Sequence, residues 1–314
     1  MQRALALALL ATLVMATPAL ALFGKDKETP AAAEGAPIAQ ALTIATYRDV
    51  PYTAQFLAQD KEGDDLTFSL ATQPKHGTVT IDGDSFTYTP AAGKTGKDSF
   101  TYVATDAAGH VSLPVLVDVT VAKAKTTVTY ADMTDNPAQA AAIHMAETGV
   151  FTGCRVGNQY FFEPERAVSR GEFLVMTMDT VGVTADAVTM TGFVDDEAIP
   201  SWAKSYAATA LKNGVIQGVC TDDGVAFAAD APITLGEAAT VLNRILSVSD
   251  VDLETWYADR ESVPSWAAQA VGNMESVSIL SGGSFGSEAV NQTLTRAEVA
   301  RMLSAADTLA EGEG

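Results

Sequence analysis

The strongest constraint on this chain is a register that recurs through its second half. An aromatic-x-Asp start appears at Tyr130-Ala131-Asp132, Phe193-Val194-Asp195 and Tyr257-Ala258-Asp259, at steps of 63 and 64 residues. Self-similarity at a fixed period means that each unit is a supersecondary piece whose apolar face is closed only by its neighbours. The spacing predicts three units, at 130–190, 191–250 and 251–310. In the second and third, helical segments run from Ser201-Trp202-Ala203 to Gly218 and from Ser265-Trp266-Ala267 to Gly282, aligned without a gap. The first runs from Asn136-Pro137-Ala138 to Gly153, with Pro137 where the others have Trp. Proline is tolerated in a first helical turn, so a helix is expected there as well.

A Gly/Asp-rich loop follows each segment, and then Ser169-Arg170-Gly171-Glu172, Thr234-Leu235-Gly236-Glu237 and Thr295-Arg296-Ala297-Glu298. Each is Ser/Thr-x-x-Glu, the pattern of a capping box: the hydroxyl accepts an N-terminal N–H, and the Glu reaches back to the cap residue. Ser169, Glu172, Thr234, Glu237, Thr295 and Glu298 are therefore expected to cap helices. Val299, Met302, Leu303 and Ala306 follow at i, i+3, i+4, i+7, as do Ala238, Val241, Leu242 and Ile245. In the first unit Leu174, Met178 and Val181 serve instead. Capping leaves Arg170 and Arg296 unexplained, because a cation in the first turn opposes the helix dipole. A guanidinium beside free helix N–H groups makes an anion site, while a solvated Arg paired with a nearby acid fits equally well. Leu235, at the same position in the second unit, can do neither.

The texture before these units is different. Leu66, Phe68 and Leu70 alternate with Thr67 and Ser69; Val79 and Ile81 lead to Asp82-Gly83, and Phe86 and Tyr88 follow. That is a hairpin with an Asp-Gly turn. Phe100 and Tyr102, and then Val115, Val117, Val119 and Val121, make further strands. About seven short strands with no helical stretch predict a β-sandwich over 41–122. A short polar linker, 123–129, joins it to the repeats.

At these residues two family resemblances can be stated. The order aromatic-x-Asp, Trp-Ala, helix, Gly-rich loop, Thr-Arg-Ala-Glu, helix is similar to S-layer homology repeats, over about Tyr130 to Leu309. Asp64-Asp65-Leu66-Thr67-Phe68-Ser69-Leu70, Pro74-Lys75-His76-Gly77-Thr78-Val79, Phe86-Thr87-Tyr88-Thr89-Pro90 and Asp98-Ser99-Phe100-Thr101-Tyr102 resemble bacterial cadherin-like or Ig-like modules. The fold class expected is thus multidomain, an all-β Ig-like or cadherin-like sandwich followed by an all-α pseudo-threefold repeat domain. The first resemblance implies ligand grooves between neighbouring repeats, a secondary cell-wall polysaccharide as partner, often pyruvylated, and non-covalent anchoring at the cell wall. The second implies a spacer or adhesive module, sometimes stiffened by calcium, and no catalysis. Arg170 and Arg296 then become polymer ligands, with Trp202 and Trp266 offering flat faces to sugar rings. Asp132, Asp195 and Asp259 either accept bonds from sugar hydroxyls or hold turns and repeat interfaces. The resemblance leaves open an adhesin whose sandwich binds an external ligand, and a self-assembling surface-layer subunit.

Several further expectations concern compartment and chemistry. Arg3, the apolar run Ala4 to Ala16 and the Ala19-Leu20-Ala21 site read as a cleaved signal over 1–21, so export without later membrane insertion is expected. A flexible Ala/Pro/Lys/Glu-rich spacer follows at 22–40. The formal net charge of −20 makes nucleic acid a poor partner. Cys154 and Cys220, the two cysteines, fall after equivalent loops of consecutive repeats, where a disulfide would need Cα atoms within about 7 Å. Asp60, Glu62, Asp64, Asp65 and Asp106 are hard oxygen ligands at strand ends, either weak calcium candidates or ordinary acidic turns; no other cofactor is expected. His76, His110 and His144 have no serine elbow or Cys–His pairing near them, so no enzyme is expected.

Overall fold

The computed structural model of the chain describes residues 35–257, 263–280 and 287–312. The signal expected at 1–21, most of the spacer expected at 22–40, and Asp259 lie outside the described residues.

Nine strands build the first module: β1 (Ile38–Ala39), β2 (Leu42–Tyr47), β3 (Tyr52–Gln55), β4 (Ala58–Gln59), β5 (Thr67–Thr72), β6 (Gly77–Asp82), β7 (Ser85–Pro90), β8 (Gly96–Thr105) and β9 (Val115–Ala122). One sheet has the order β2-β9-β8-β5, the other β3-β7-β6, and β1 pairs with β4. Strand alternation does the sorting, because successive side chains point to opposite faces. Phe86, Tyr88, Phe100, Tyr102, Val117, Val119 and Val121 are buried between the sheets, while Thr101, Asp118 and Thr120 stay on the outer face. Phe56 fills the centre, its ring centroid 4.5–5.0 Å from those of Phe68, Phe86 and Tyr102. The expected hairpin is present, one residue along from the expected turn: Asp82 pairs with Ser85, so the loop is Gly83-Asp84. Gly83 takes the positive φ (+59°) that a two-residue loop of this kind demands at its first position.

The repeats hold α1 (Gln139–Thr148), α2 (Arg170–Thr180), α3 (Ser201–Lys212), α4 (Leu235–Leu246), α5 (Leu253–Trp256), α6 (Ser265–Ser276), α7 (Ser287–Val290) and α8 (Arg296–Gly312). They are not wholly helical. Two hairpins, β10 (Cys154–Val156) with β11 (Gln159–Phe161) and β12 (Val219–Thr221) with β13 (Gly224–Ala226), fill the loops of the first two repeats. Pro137 lies ahead of α1 rather than in its first turn. Helix α1 therefore starts three residues later than the aligned helices α3 and α6, and Asn136 Oδ1 accepts the Ala138 N–H at 2.8 Å.

A ring of three backbone hydrogen bonds closes the assembly. Val168 N–H donates to Leu294 O (3.1 Å), Leu294 N–H to Ile233 O (3.0 Å), and Ile233 N–H to Val168 O (2.9 Å). These residues sit immediately before the three capping boxes and are buried. Around this apex α2, α4 and α8 touch one another, and each packs on the first helix of the next repeat: α2 on α3, α4 on α6, and α8 on α1. The third repeat thus closes on the first, giving a threefold ring where an open solenoid would leave two uncovered ends.

The sandwich is seated on this ring. Tyr47 and Val50 pack with Ala140 and Ile143 of α1. The Tyr47 hydroxyl donates to Glu147 Oε2 at 2.9 Å, and the Lys125 N–H donates to the other oxygen of the same carboxylate. His144 Nε2 meets Asp307 Oδ2 at 2.7 Å, tying α1 to α8 beneath the contact. The linker is thus part of a packed joint.

Candidate functional site

Each capping box forms as the residue order demands. Ser169 Oγ accepts the Glu172 N–H, and Glu172 Oε2 accepts the Ser169 N–H at 3.0 Å. Thr234 and Glu237 do the same, and so do Thr295 and Glu298, where the Thr295 N–H bond is 2.7 Å. Each box contributes about 1 kcal/mol by satisfying helix N–H groups that would otherwise lack partners. It also fixes the start of one central helix beside the first helix of the next repeat.

Between the first two repeats that arrangement opens a cleft of about 350 Å3, lined by Arg166, Ser169, Glu172, Trp202, Asp230 and Pro232 among others. Trp202 comes from the start of α3 and lies over Gly171 in the first turn of α2; a Cβ on Gly171 would stand 3.4 Å from its Cη2. The junction of the second and third repeats copies this. There a Cβ on Gly236 would come within 2.6 Å of Trp266 Cη2, so glycine at this position leaves the indole edge the room it occupies. Trp202 and Trp266 are 50% and 54% exposed, so neither indole is sealed in the core. At the third junction Pro137 and Ala297 occupy the equivalent positions, and no indole is present.

The two arginines of the capping boxes point elsewhere. Arg296 is buried, with its Nη1 donating to Phe162 O at 2.6 Å and lying 3.1 Å from Glu163 Oε2, while its guanidinium stacks 4.5 Å from the Phe151 ring centroid. Arg170 Nε donates to Phe227 O at 3.0 Å, and its Nη1 pairs with Glu237. Both therefore leave their own helix and bind the hairpin exit of another repeat, the third to the first and the first to the second. This removes the puzzle of a cation in a first helical turn: the side chain serves a carbonyl across the junction. As described, both guanidinia are taken up by protein acceptors, not presented to the cleft.

The aspartates face the same hairpin exits from within their own repeats. Asp132 accepts the Phe162 and Glu163 N–H groups (2.8 and 2.7 Å), and Asp195 accepts those of Phe227 and Ala228 (both 2.8 Å). Glu163 and Ala228 are left-handed, at φ +58° and +55°. A two-oxygen grip on consecutive N–H groups holds a conformation that L residues resist. Each exit peptide is thus held twice, by an Asp through its N–H groups and by an Arg through its carbonyl. Both oxygens of Asp132 and of Asp195 are committed to the backbone.

Cys154 and Cys220 are both free and exposed, so the disulfide considered from the sequence is not formed. With Gly153 and Gly218 superposed, Cys220 stands one residue farther along its strand than Cys154. Neighbouring strand residues face opposite ways, so the two thiols are not equivalent. Treating native protein with a maleimide should add two reagent molecules per chain by mass spectrometry; no addition would mean a bonded pair. Of the calcium candidates, Asp60 and Asp106 hold turns. Asp60 Oδ1 accepts the Glu62 and Asp64 N–H groups (3.0 and 3.1 Å), and Asp106 accepts the His110 N–H and contacts its ring Nδ1, both at 2.8 Å. Among the described residues no group of three or more His, Cys, Asp or Glu side chains could hold a metal ion.

Arg166 is the cleft residue that the sequence pattern did not single out. It stands three residues ahead of the first capping box, where the other repeats have Ala231 and Gln292. A charge at a position uncharged in both sister repeats was the available signal.

Residues 34–129 match the family described as bacterial Ig domain, and residues 192–239 match S-layer homology domain. Exoglucanase XynX of Acetivibrio thermocellus is 27% identical over 57% of this chain and 16% of its own length. The surface-layer 125 kDa protein of Lysinibacillus sphaericus is 29% identical over 34% of this chain and 8% of its own. The chain thus spans a small part of the curated relatives it matches. Among solved structures, endo-fucoidan hydrolase MfFcnA4 is similar over 28% of this chain and 14% of that one, at 23% identity and a TM-score of 0.24. The chain carries an Ig-like module followed by an S-layer homology domain, and these place it at the cell surface. No helix among the described residues is long and apolar enough to cross a membrane.

Proposed function

We propose that this protein is a non-catalytic envelope protein that holds itself to a secondary cell-wall polysaccharide through its repeats and displays the Ig-like module outward. The observation that carries the reading is the inter-repeat cleft with its half-exposed indole. A sugar's C–H face packs on an aromatic face, and its hydroxyls find polar partners at the rim in Ser169, Glu172 and Asp230. A half-exposed indole that meets only a glycine at the start of a capped helix contributes little to the core. An exposed apolar surface of that kind is better suited to a ligand than to packing. His110 and His144 are engaged with Asp106 and Asp307, away from the cleft lining, and support no catalytic constellation there.

The test mixes the full chain with purified wall sacculi before and after the secondary polymer is stripped. Pelleting with intact walls and not with stripped ones is expected. Equal pelleting with both, or with neither, overturns the reading. Trp202→Ala should weaken pelleting about tenfold, equivalent to roughly 1.4 kcal/mol of lost stacking, with the melting temperature unchanged to within about 2 °C.

A further inference from the structure

We propose that the Ig-like module is itself a polyanion-binding element, whose basic collar at the linker end takes a strand of carboxylate-bearing polysaccharide on its lysine side chains. This goes beyond the reading above, because it asks nothing of the clefts between repeats.

The charge of the sandwich is sorted by end. Strands β2, β5, β7 and β9 finish, and β3, β6 and β8 begin, at the end that meets the linker. Residues 41–125 hold seven Lys and Arg, and six of them, Arg48, Lys75, Lys94, Lys97, Lys123 and Lys125, lie there. Backbone bonds draw their turns together: Arg48 N–H donates to Ala122 O (2.7 Å), Gly93 N–H to Asp49 Oδ1 (2.6 Å), and Ala91 N–H to His76 O (2.8 Å). Of the ten carboxylates in the same stretch, seven lie at the opposite end: four in the loop between β4 and β5, two at the β6–β7 turn, and Asp106 after β8. Six-residue strands set the two ends about 20 Å apart, more than twice the screening length of about 8 Å at physiological salt. The acidic end therefore does not cancel the field of the basic one.

Ion pairs across the joint would account for such cations, since residues 126–314 hold 26 carboxylates against nine Lys and Arg. They do not form. Helix α1, on which the sandwich sits, carries one carboxylate, Glu147, and the Tyr47 hydroxyl and the Lys125 backbone N–H occupy it. Asp307 of α8 is taken by His144. Within the sandwich Arg48 has Asp49 at 3.6 Å, while Asp98 is filled by backbone N–H groups and Tyr88. The five lysines of the collar are exposed, and among the described residues none pairs with a carboxylate; Lys204 and Lys212 of the repeats both do. Arg301 of α8 adds a cation from the repeat side: burial raises the Tyr52 hydroxyl at the start of β3, and Arg301 offsets part of that rise. Unpaired ammonium groups set around a waist between two packed bodies suit a flexible chain with spaced carboxylates. A bilayer is too flat to enter such a waist, and a stiff nucleic acid duplex would run along the acidic repeats. Each lysine contact releases a counterion from the chain, so the affinity is a sum of weak contacts and depends steeply on salt.

The test titrates the full chain with polygalacturonate fragments in a calorimeter. Binding is expected at about 50 mM KCl and should weaken at least about tenfold by about 200 mM. Lys94→Glu combined with Lys97→Glu should lower the low-salt affinity about tenfold or more and flatten its salt dependence, with the melting temperature kept because both side chains are exposed and unpaired. Trp202→Ala, in the cleft between repeats, should stay within about twofold of the wild type. Equal binding by the wild type and the double lysine variant, or binding indifferent to salt, would overturn the proposal. So would a wild type that ignores the polymer and binds vesicles of anionic lipid, or one that self-associates at low salt and is not dispersed by added polymer. Pelleting with sacculi decides the repeat reading separately: a chain that pellets yet ignores polygalacturonate sinks the collar alone, and the reverse result sinks the repeat reading alone.

Discussion

Replacing Arg296 with alanine is expected to unfold the repeats at a temperature well below that of the wild type, and to do so without a direct effect on wall binding. The substitution removes the donor to Phe162 O, the Glu163 partner and the cation over Phe151 in one step, and it opens a gap in a junction where the side chain is 8% exposed. Losses of this kind are about 3 kcal/mol. In a helical unit of this size that corresponds to a fall of roughly 6–12 °C in melting temperature. The three tryptophans, at 202, 256 and 266, all lie in the repeats, so indole fluorescence follows this transition separately from the sandwich. Held below its own melting point, the variant should pellet with wall sacculi within about twofold of the wild type. A variant that melts normally yet fails to pellet would return Arg296 to the ligand. Trp202→Ala is the mirror case, with stability kept and binding weakened.

That contrast marks where the sequence was legible. Periodicity placed the repeats, because each aromatic-x-Asp start and each Ser/Thr-x-x-Glu box is a local device whose partners lie within a few residues. The capping geometry at Ser169, Thr234 and Thr295 followed for the same reason, as did the inward faces of β7, β8 and β9. What local pattern could not supply was the destination of a long side chain. Arg296 and Phe162 are separated by 134 residues, and a first-turn Arg reads alike whether it grips a ligand or the carbonyl of another repeat. The committed aspartates show the same limit: their partners are N–H groups of a hairpin exit 30 or more residues away. The Tyr47–Glu147 joint was equally hidden, because a seven-residue polar linker has the same composition whether its flanking domains touch or not. In each case the missing information was the third dimension of the ring.

The largest effect in the sandwich is expected from Asp98→Asn. Asp98 is buried at the end of the core, and its carboxylate accepts four hydrogen bonds. Oδ1 takes the Lys75 and Ser99 N–H groups (both 2.9 Å), and Oδ2 takes the His76 N–H (2.8 Å) and the Tyr88 hydroxyl (3.0 Å). These bonds pin the Pro74 to Gly77 turn to β7 and β8, so one side chain joins both sheets. An asparagine can satisfy one pair of donors and must aim its own NH2 at the other. With the NH2 on the Oδ2 side the Tyr88 hydroxyl can turn to accept, but the His76 N–H is left facing a donor and the other bonds lose their charge assistance, together about 3 kcal/mol. For a domain of this length the melting temperature should drop by more than about 10 °C, read from the near-ultraviolet dichroism of the buried tyrosines. Burial on its own would raise the Asp98 carboxyl, but the three backbone N–H groups and the Tyr88 hydroxyl outweigh it and hold it below the usual carboxylate range. A depressed folded value stabilises the fold above the ordinary carboxylate pKa, and the contribution is lost as pH falls through the folded value, where the native carboxylate must take up a proton. The gap between wild type and Asp98→Asn should therefore be full at about pH 6 and narrow steadily towards about pH 3, as the wild type loses what the variant never had. A gap that stayed constant over that interval would mean that Asp98 acts through shape alone and not through its charge.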